Sequence, residues 1–349
     1  MIKPKFFRMK KITLAFALLF QFSFFSCSTQ PKENSSSLDQ QVKIENAWNH
    51  LEAFQSIASK NNNNRAVGRP GGLASTEYIV KTLKSYGLNP IVQDFTNSKG
   101  AKGKNVIVEI KGKSDKVSML GAHYDSVETG PGINDNATGV AIVLEIISTL
   151  TQHKVSPAHT LRFVFWDSEE TGVEGSRFYV KELSSAEKSR LANYINVDMV
   201  GTKDPNILIL DSDGSSWKRQ EEIMLSTAET EEEKQERLAL IEGLKNGFPK
   251  QVKGSEYLEK LYSNYLNSKN VAFEDDYILS NSTDVFPFIG MIPTIGIIMT
   301  NITEHKGDSL YAPCYHLACD DINNVDKNSF RIALESISYL LYEVAIKSK

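Results

Sequence analysis

Residues Gly121 to Gly139 read GAHYDSVETGPGINDNATG, and the rest of the chain is best read outward from them. Val117 to Ala122 is predicted as a strand that delivers His123 at its C-terminal end. Gly139 to Leu150 is an apolar run that predicts a helix. The pattern recurs downstream. Thr160 to Trp166 (TLRFVFW) predicts a buried strand that ends directly at Asp167-Ser168-Glu169-Glu170, with a helix from about Glu174 to Leu183. Tyr194 to Met199 (YINVDM) predicts a strand with Asp198 near its end, and Ile207 to Leu210 and Ile292 to Ile298 predict two more. Upstream, Asn89 to Phe95 and Asn105 to Ile110 alternate as strands. Ala47 to Ala58 has helical spacing, and a second helix, capped by Ser75, ends at Gly87. A final helix spans about Lys327 to Ile346. Strands alternating with helices, with polar residues where strands finish, predict an α/β fold: a mostly parallel, mixed sheet with helices on both faces. Sites in such sheets lie beyond the carboxyl ends of strands.

The 349 residues suffice for one large domain. The first 26 residues carry Lys3, Lys5, Arg8, Lys10 and Lys11 and no acid, so their removal takes the formal charge from −4 to −9. That acidity argues against a nucleic-acid partner. Ile12 to Phe25 is apolar but short for a membrane span, and it ends in Ser26-Cys27, so residues 1–26 read as an export signal. The cysteine suggests a bacterial lipoprotein signal, with Cys27 lipidated and the protein anchored in the cell envelope. A plain secretory signal is the alternative. Residues 27–43 are polar and predict a flexible tether, so the fold is expected from residue 44 to 349. Residues 215–273 are charged and predict a helical insertion, either a solvated face or a lid. Cys314 and Cys319 read as a disulfide in an oxidising compartment, with free thiols or thiolate ligands as alternatives.

The chemistry-bearing residues converge on the opening stretch. His123 and Asp125 leave the same face of an extended segment, so one can bind metal while the other holds the imidazole. Asp135 sits in a glycine-rich turn before a helix, where a lone aspartate would ordinarily be an N-cap. Glu169 and Glu170 follow an apolar strand; one can ligate metal and the other act as a base. Asp198 and His316 complete two ligand sets for divalent metal, with one carboxylate shared. His50, His153, His159 and His305 have no such context and are expected at the solvent face.

HYDS, GINDNATGVA, FWDSEETGVEGSRFYV, NVDMVG, STDVFPF and PCYHLACDDINNVD together resemble the co-catalytic zinc peptidases of family M28, of the aminopeptidase S type. The resemblance runs from about Arg65 to the last helix. It implies the zinc exopeptidase fold, peptide substrates and two zinc ions bridged by Asp135. His123 and Asp198 would complete one site, and Glu170 and His316 the other. It further implies Glu169 as general base, Tyr315 as donor to the oxyanion beside a Cys314–Cys319 disulfide, Asp125 orienting His123, a cis Asp135–Asn136 peptide, and Asp284 in the substrate pocket. The expected activity is removal of N-terminal residues. A glutaminyl cyclase on the same fold and a catalytically silent peptide-binding lipoprotein are the alternatives. The sequence is silent on calcium and on oligomeric state.

Overall fold

The computed structural model describes residues 36–226, 228–276, 283–305 and 308–347. The export signal, Cys27 and residues 27–35 of the expected tether lie outside the described residues. The strands are β1 (Ile91–Thr96), β2 (Lys102–Ile110), β3 (Ser114–His123), β4 (His159–Trp166), β5 (Leu191–Asp198), β6 (Asn206–Leu210), β7 (Glu274–Asp276) and β8 (Thr294–Thr300). They form one sheet in the order β1-β2-β4-β3-β5-β8-β6-β7. The central strands β4, β3, β5 and β8 run parallel; β2 joins β4, and β6 joins β8, antiparallel. The expectation of a mixed sheet with a parallel centre is met.

Alternate residues of each strand enter two separate cores, as a pleat with both faces covered requires. Leu120, Ala122, Phe163, Phe165, Ile195 and Val197 join one core. That core also takes α1 (Ile44–Lys60), α2 (Pro70–Ser85), α3 (Thr138–Gln152), α8 (Ser255–Ser268) and α9 (Lys327–Leu341). Met119, Val164, Trp166 and Tyr194 join the other, with Tyr179 of α4 (Glu174–Glu182) and Phe288. Helix α3 is apolar nearly all round because α1 and α9 pack across it on the side away from the sheet. Each Leu or Ile it buries contributes roughly 1.5–3 kcal/mol. The shorter helices are α5 (Ser185–Arg190), α6 (Ser216–Ser226) and α7 (Glu231–Gly247), and a hairpin of β9 (Thr303–His305) with β10 (Asp308–Leu310) stands apart from the sheet. No helix among the described residues is long and apolar enough to cross a membrane.

Several expectations need correction. The packed region starts before residue 44: Leu38, alone in a polar run, is 1% exposed within the core, and Glu145 of α3 accepts the Lys43 N–H at 2.8 Å. Ser75 is not a cap. The helix begins at Pro70, whose fixed φ suits a first helical position, and the Ser75 hydroxyl donates to the Gly71 carbonyl. The final helix ends at Leu341 and continues as a wider π turn, Tyr342–Ile346. Within 215–273 the helices are Ser216–Ser226, Glu231–Gly247 and Ser255–Ser268, but the last of them belongs to the core through Leu258, Tyr262 and Leu266. His50 is buried, with Nδ1 2.6 Å from the Tyr78 hydroxyl and Nε2 3.3 Å from that of Tyr86. Loss of water there lowers its pKa to about 4.

Candidate metal centre

Strand β3 is where the connections change direction, since β4 lies on one side of it and β5 on the other. That is the place where an open α/β sheet leaves a crevice. The register pairs His123 with Trp166 on β4 and Gly121 with Asn196 on β5. His123 and Asp198 therefore stand level at adjacent strand ends, on the same face. Their Nε2 and Oδ1 atoms are 3.3 Å apart.

Asp135 reaches both of its neighbours. One carboxylate oxygen is 3.2 Å from His123 Nε2, and the other is 3.4 Å from His316 Nε2. Glu170 lies 2.9 Å from His316 Nε2. Two groups of potential ligands result, His123–Asp135–Asp198 and Asp135–Glu170–His316, each with its ligand atoms within 4.8 Å of one another. Asp135 is common to both. Glu169 stands beside the first group, 4.0 Å from His123 Nε2.

Asp125 ties these parts together. Its Oδ1 is 3.4 Å from His123 Nδ1, and its carboxylate accepts the backbone N–H groups of Glu169 and Glu170 at 3.1 and 3.3 Å. Asp125 thus holds the imidazole ring, through its backbone carbonyl 3.2 Å from His123 Nδ1 together with its carboxylate, and secures the turn that carries both glutamates. The Asp135 turn is equally constrained. The Asp135–Asn136 peptide is cis. Asn136 donates to the Val197 carbonyl and accepts the Gly139 N–H. Gly132 has φ +61°, and a Cβ there would lie 2.4 Å from the Asp135 carbonyl oxygen, so the turn requires glycine. Ser168, Val173, Met199, Cys314 and His316 also adopt positive φ, each beside or within a segment carrying a candidate ligand. Non-glycine residues hold this conformation only where the surroundings over-determine it.

The electrostatics call for positive charge. Burial pushes Glu169 well above the usual carboxylate range, and burial beside Asp135 pushes Glu170 up to about 7. Burial opposes charge on His316 as well, yet its contacts with Asp135 and Glu170 carry it up to about 10. His123 Nε2, Asp198 Oδ1 and Glu170 Oε1 are buried without a hydrogen-bond partner. Buried polar atoms are normally paired. Imidazole nitrogens and carboxylate oxygens converging in this way fit divalent metal of the zinc class.

The remaining expected residues fall around a cleft of about 370 Å³ that Asp135, Glu169, Glu170, Asp198 and His316 help to line. Tyr315 lines it too, its ring stacked 3.7 Å from that of His316. Cys314 and Cys319 form a disulfide that closes this loop, with Cα atoms 5.4 Å apart. Asp284 does not line the cleft. It is fully buried, accepts the Ser176 hydroxyl, and leaves the wall position to Thr283. Among the described residues none from 215–273 lines the cleft, so the lid alternative has no support.

Two residues had no role in the sequence reading. Arg65 is fully buried and donates to the carbonyls of Tyr124, Pro131 and Gly132, which clamps the loop between Asp125 and Asp135. Asp320 accepts the N–H groups of Asn134 and Asp135 at 3.0 and 3.1 Å.

The model of peptidase family M28 matches residues 105–341, more than half of the chain. The chain belongs to peptidase family M28. Among curated relatives, this M28 chain is 28% identical over 313 residues to leupeptin-inactivating enzyme 1 of Streptomyces exfoliatus, covering 86% of this chain and 62% of that protein. It is 30% identical over 307 residues to the "Probable lipoprotein aminopeptidase LpqL" of Mycobacterium tuberculosis, covering 81% and 55%. It therefore spans less than two thirds of the length of either. Among solved structures, a zinc aminopeptidase from Bacillus subtilis superposes with a TM-score of 0.65 at 17% identity, over 88% of this chain and 96% of that one. A Porphyromonas gingivalis glutaminyl cyclase superposes at 0.64 and 19%, over 87% and 99%. At these identities the structural likenesses establish the fold and no more.

Proposed function

We propose that this M28 protein is a two-zinc aminopeptidase that removes N-terminal residues from peptides. The observation that carries the reading is that Asp135 presents one oxygen to each of two histidine–carboxylate groups, with Glu169 left over beside them. His123, Asp198 and one Asp135 oxygen would hold one metal ion, and Glu170, His316 and the other oxygen would hold the second. Bound there, the ions supply Lewis-acid polarisation of the scissile carbonyl and make water more acidic. Glu169, acting as general base, takes a proton from the attacking water and returns it to the leaving amine. Tyr315 donates its hydroxyl to the developing oxyanion. Asp125 keeps His123 and the Glu169–Glu170 turn in place. The acidic cleft would attract the free α-amine of the substrate, which favours cleavage at the N-terminus.

The unpartnered ligand atoms speak against a silent binding protein, because a fold retained only to bind peptides has no reason to keep them. The double glutamate and the names of the curated relatives favour a peptidase over a cyclase. The basic, apolar N-terminal sequence, Cys27 and the likeness to LpqL support an envelope location with a lipid anchor.

The test is to incubate zinc-loaded protein with peptides beginning with Leu, Ala, Lys or Gln and to record mass spectra. Stepwise loss of whole N-terminal residues is expected. Loss of ammonia from the Gln peptide alone would make the protein a cyclase, and unchanged peptides would remove the enzymatic reading.

A further inference from the structure

The floor of the cleft is acidic, and among its lining residues Arg177 is the one lysine or arginine. Arg177 lies in the first turn of α4, seven positions after Glu170, with an exposed side chain. Its guanidinium is nevertheless held. Nε donates to the Gly172 carbonyl at 3.3 Å, and the guanidinium carbon stands 5.0 Å from the centre of the Phe286 ring. Gly172 is part of the same wall, and Phe286 follows shortly after Thr283, another wall residue. Elsewhere in the fold, arginines pair with carboxylates: the buried Arg162 with Glu109 and Glu187, and on the surface Arg190 with Glu187 and Arg219 with Glu274. Among the described residues Arg177 has no such partner, and its Nη groups meet no acceptor. A guanidinium fixed by one carbonyl and one aromatic face presents its planar donor edge to whatever enters, and that edge matches a carboxylate.

We propose that Arg177 is a specificity-determining residue that accepts a carboxylate of the peptide substrate, supplied either by an acidic side chain or by the free C-terminus of a short peptide. The inference rests on the aminopeptidase reading of the cleft. An amine drawn to the carboxylates of the floor and a carboxylate drawn to the rim would orient an acidic or very short peptide along the cleft. The same charge would disfavour a lysine side chain at that position.

The experiment uses the full chain loaded with zinc and compares kcat/KM for two pairs of peptides. The first pair is Glu-Ala-Ala-amide against Leu-Ala-Ala-amide, which reads an acidic side chain. The second is Leu-Ala against Leu-Ala-amide, which reads the free C-terminus. In Arg177→Met one of the two ratios should fall about tenfold, mostly through KM, as expected for one charge-assisted contact at a partly exposed site. Arg177→Glu should turn the preference toward Lys-Ala-Ala-amide. Both ratios unchanged in Arg177→Met, or equal loss on every peptide, would overturn the proposal, the latter because it marks a merely structural role. No release from any peptide by the unsubstituted protein would overturn the aminopeptidase reading and this inference with it.

Discussion

The two halves of the candidate metal centre are built in different ways. His123 and Asp198 stand at the ends of adjacent central strands, and with Asp135 they form a buried group at the floor of the cleft. Their positions follow from strand register. His316 sits on a loop, its side chain 38% exposed, and is held by a short disulfide and by Tyr315 stacked against it. Strand ends inherit rigidity from the sheet, whereas loops must be fastened locally. The first half should therefore keep its metal under conditions that strip the second.

Substitution of Asp135 erases the comparison, because it serves both halves. Asp135→Asn should reduce bound zinc below one ion per chain and lower kcat/KM by roughly 10⁴-fold or more, the scale of losing metal-based activation altogether. Elemental analysis and turnover check this, and two ions retained would show that Asp135 is not shared. Glu169→Gln sharpens the comparison by leaving both halves intact. Two zinc ions should remain while kcat falls about 10²–10⁴-fold, as for loss of a general base. A Cys314→Ser, Cys319→Ser double variant acts on the loop half alone. It should weaken the more labile zinc about 10–100-fold, as outer supports of metal ligands do, and leave the tighter ion unchanged in a chelator titration. Equal weakening of both ions would break the distinction drawn here.

The smallest effect lies away from both halves. His50 has a pKa of about 4 in the folded chain because burial disfavours its charge, against about 6.5 when unfolded. The unfolded chain binds the extra proton between those values, so stability is complete above about pH 6.5 and declines as pH falls toward 4, by at most ~3 kcal/mol. Denaturant midpoints for His50→Gln should show less of that decline than the parent, with zinc content at neutral pH unchanged.

The same contrast explains what was legible in the sequence. His123, Asp198 and the glutamate pair each terminate or closely follow an apolar run, and an apolar run is visible in a sequence. His316 follows no apolar run, and its place beside Glu170 came from the likeness to known peptidases. Arg65 and Asp320 were not assigned because their partners are backbone carbonyls and amides, which leave no mark on composition. Leu38 was missed because one apolar residue in a polar run carries no period. His50 was placed at the surface because nothing around it in the sequence announces the two tyrosines that cover it.

Asp320 has a consequence for the order in which the protein is made. It accepts hydrogen bonds from Asn134 and Asp135, residues about 185 positions earlier, and it follows directly on the loop that carries His316. On the ribosome, the strand-end half is synthesised well before the residues that secure the bridging aspartate and supply the second histidine. The candidate centre is thus assembled only after synthesis has passed Asp320. A chain stalled before residue 312 would carry one of the two candidate ligand groups and lack the other.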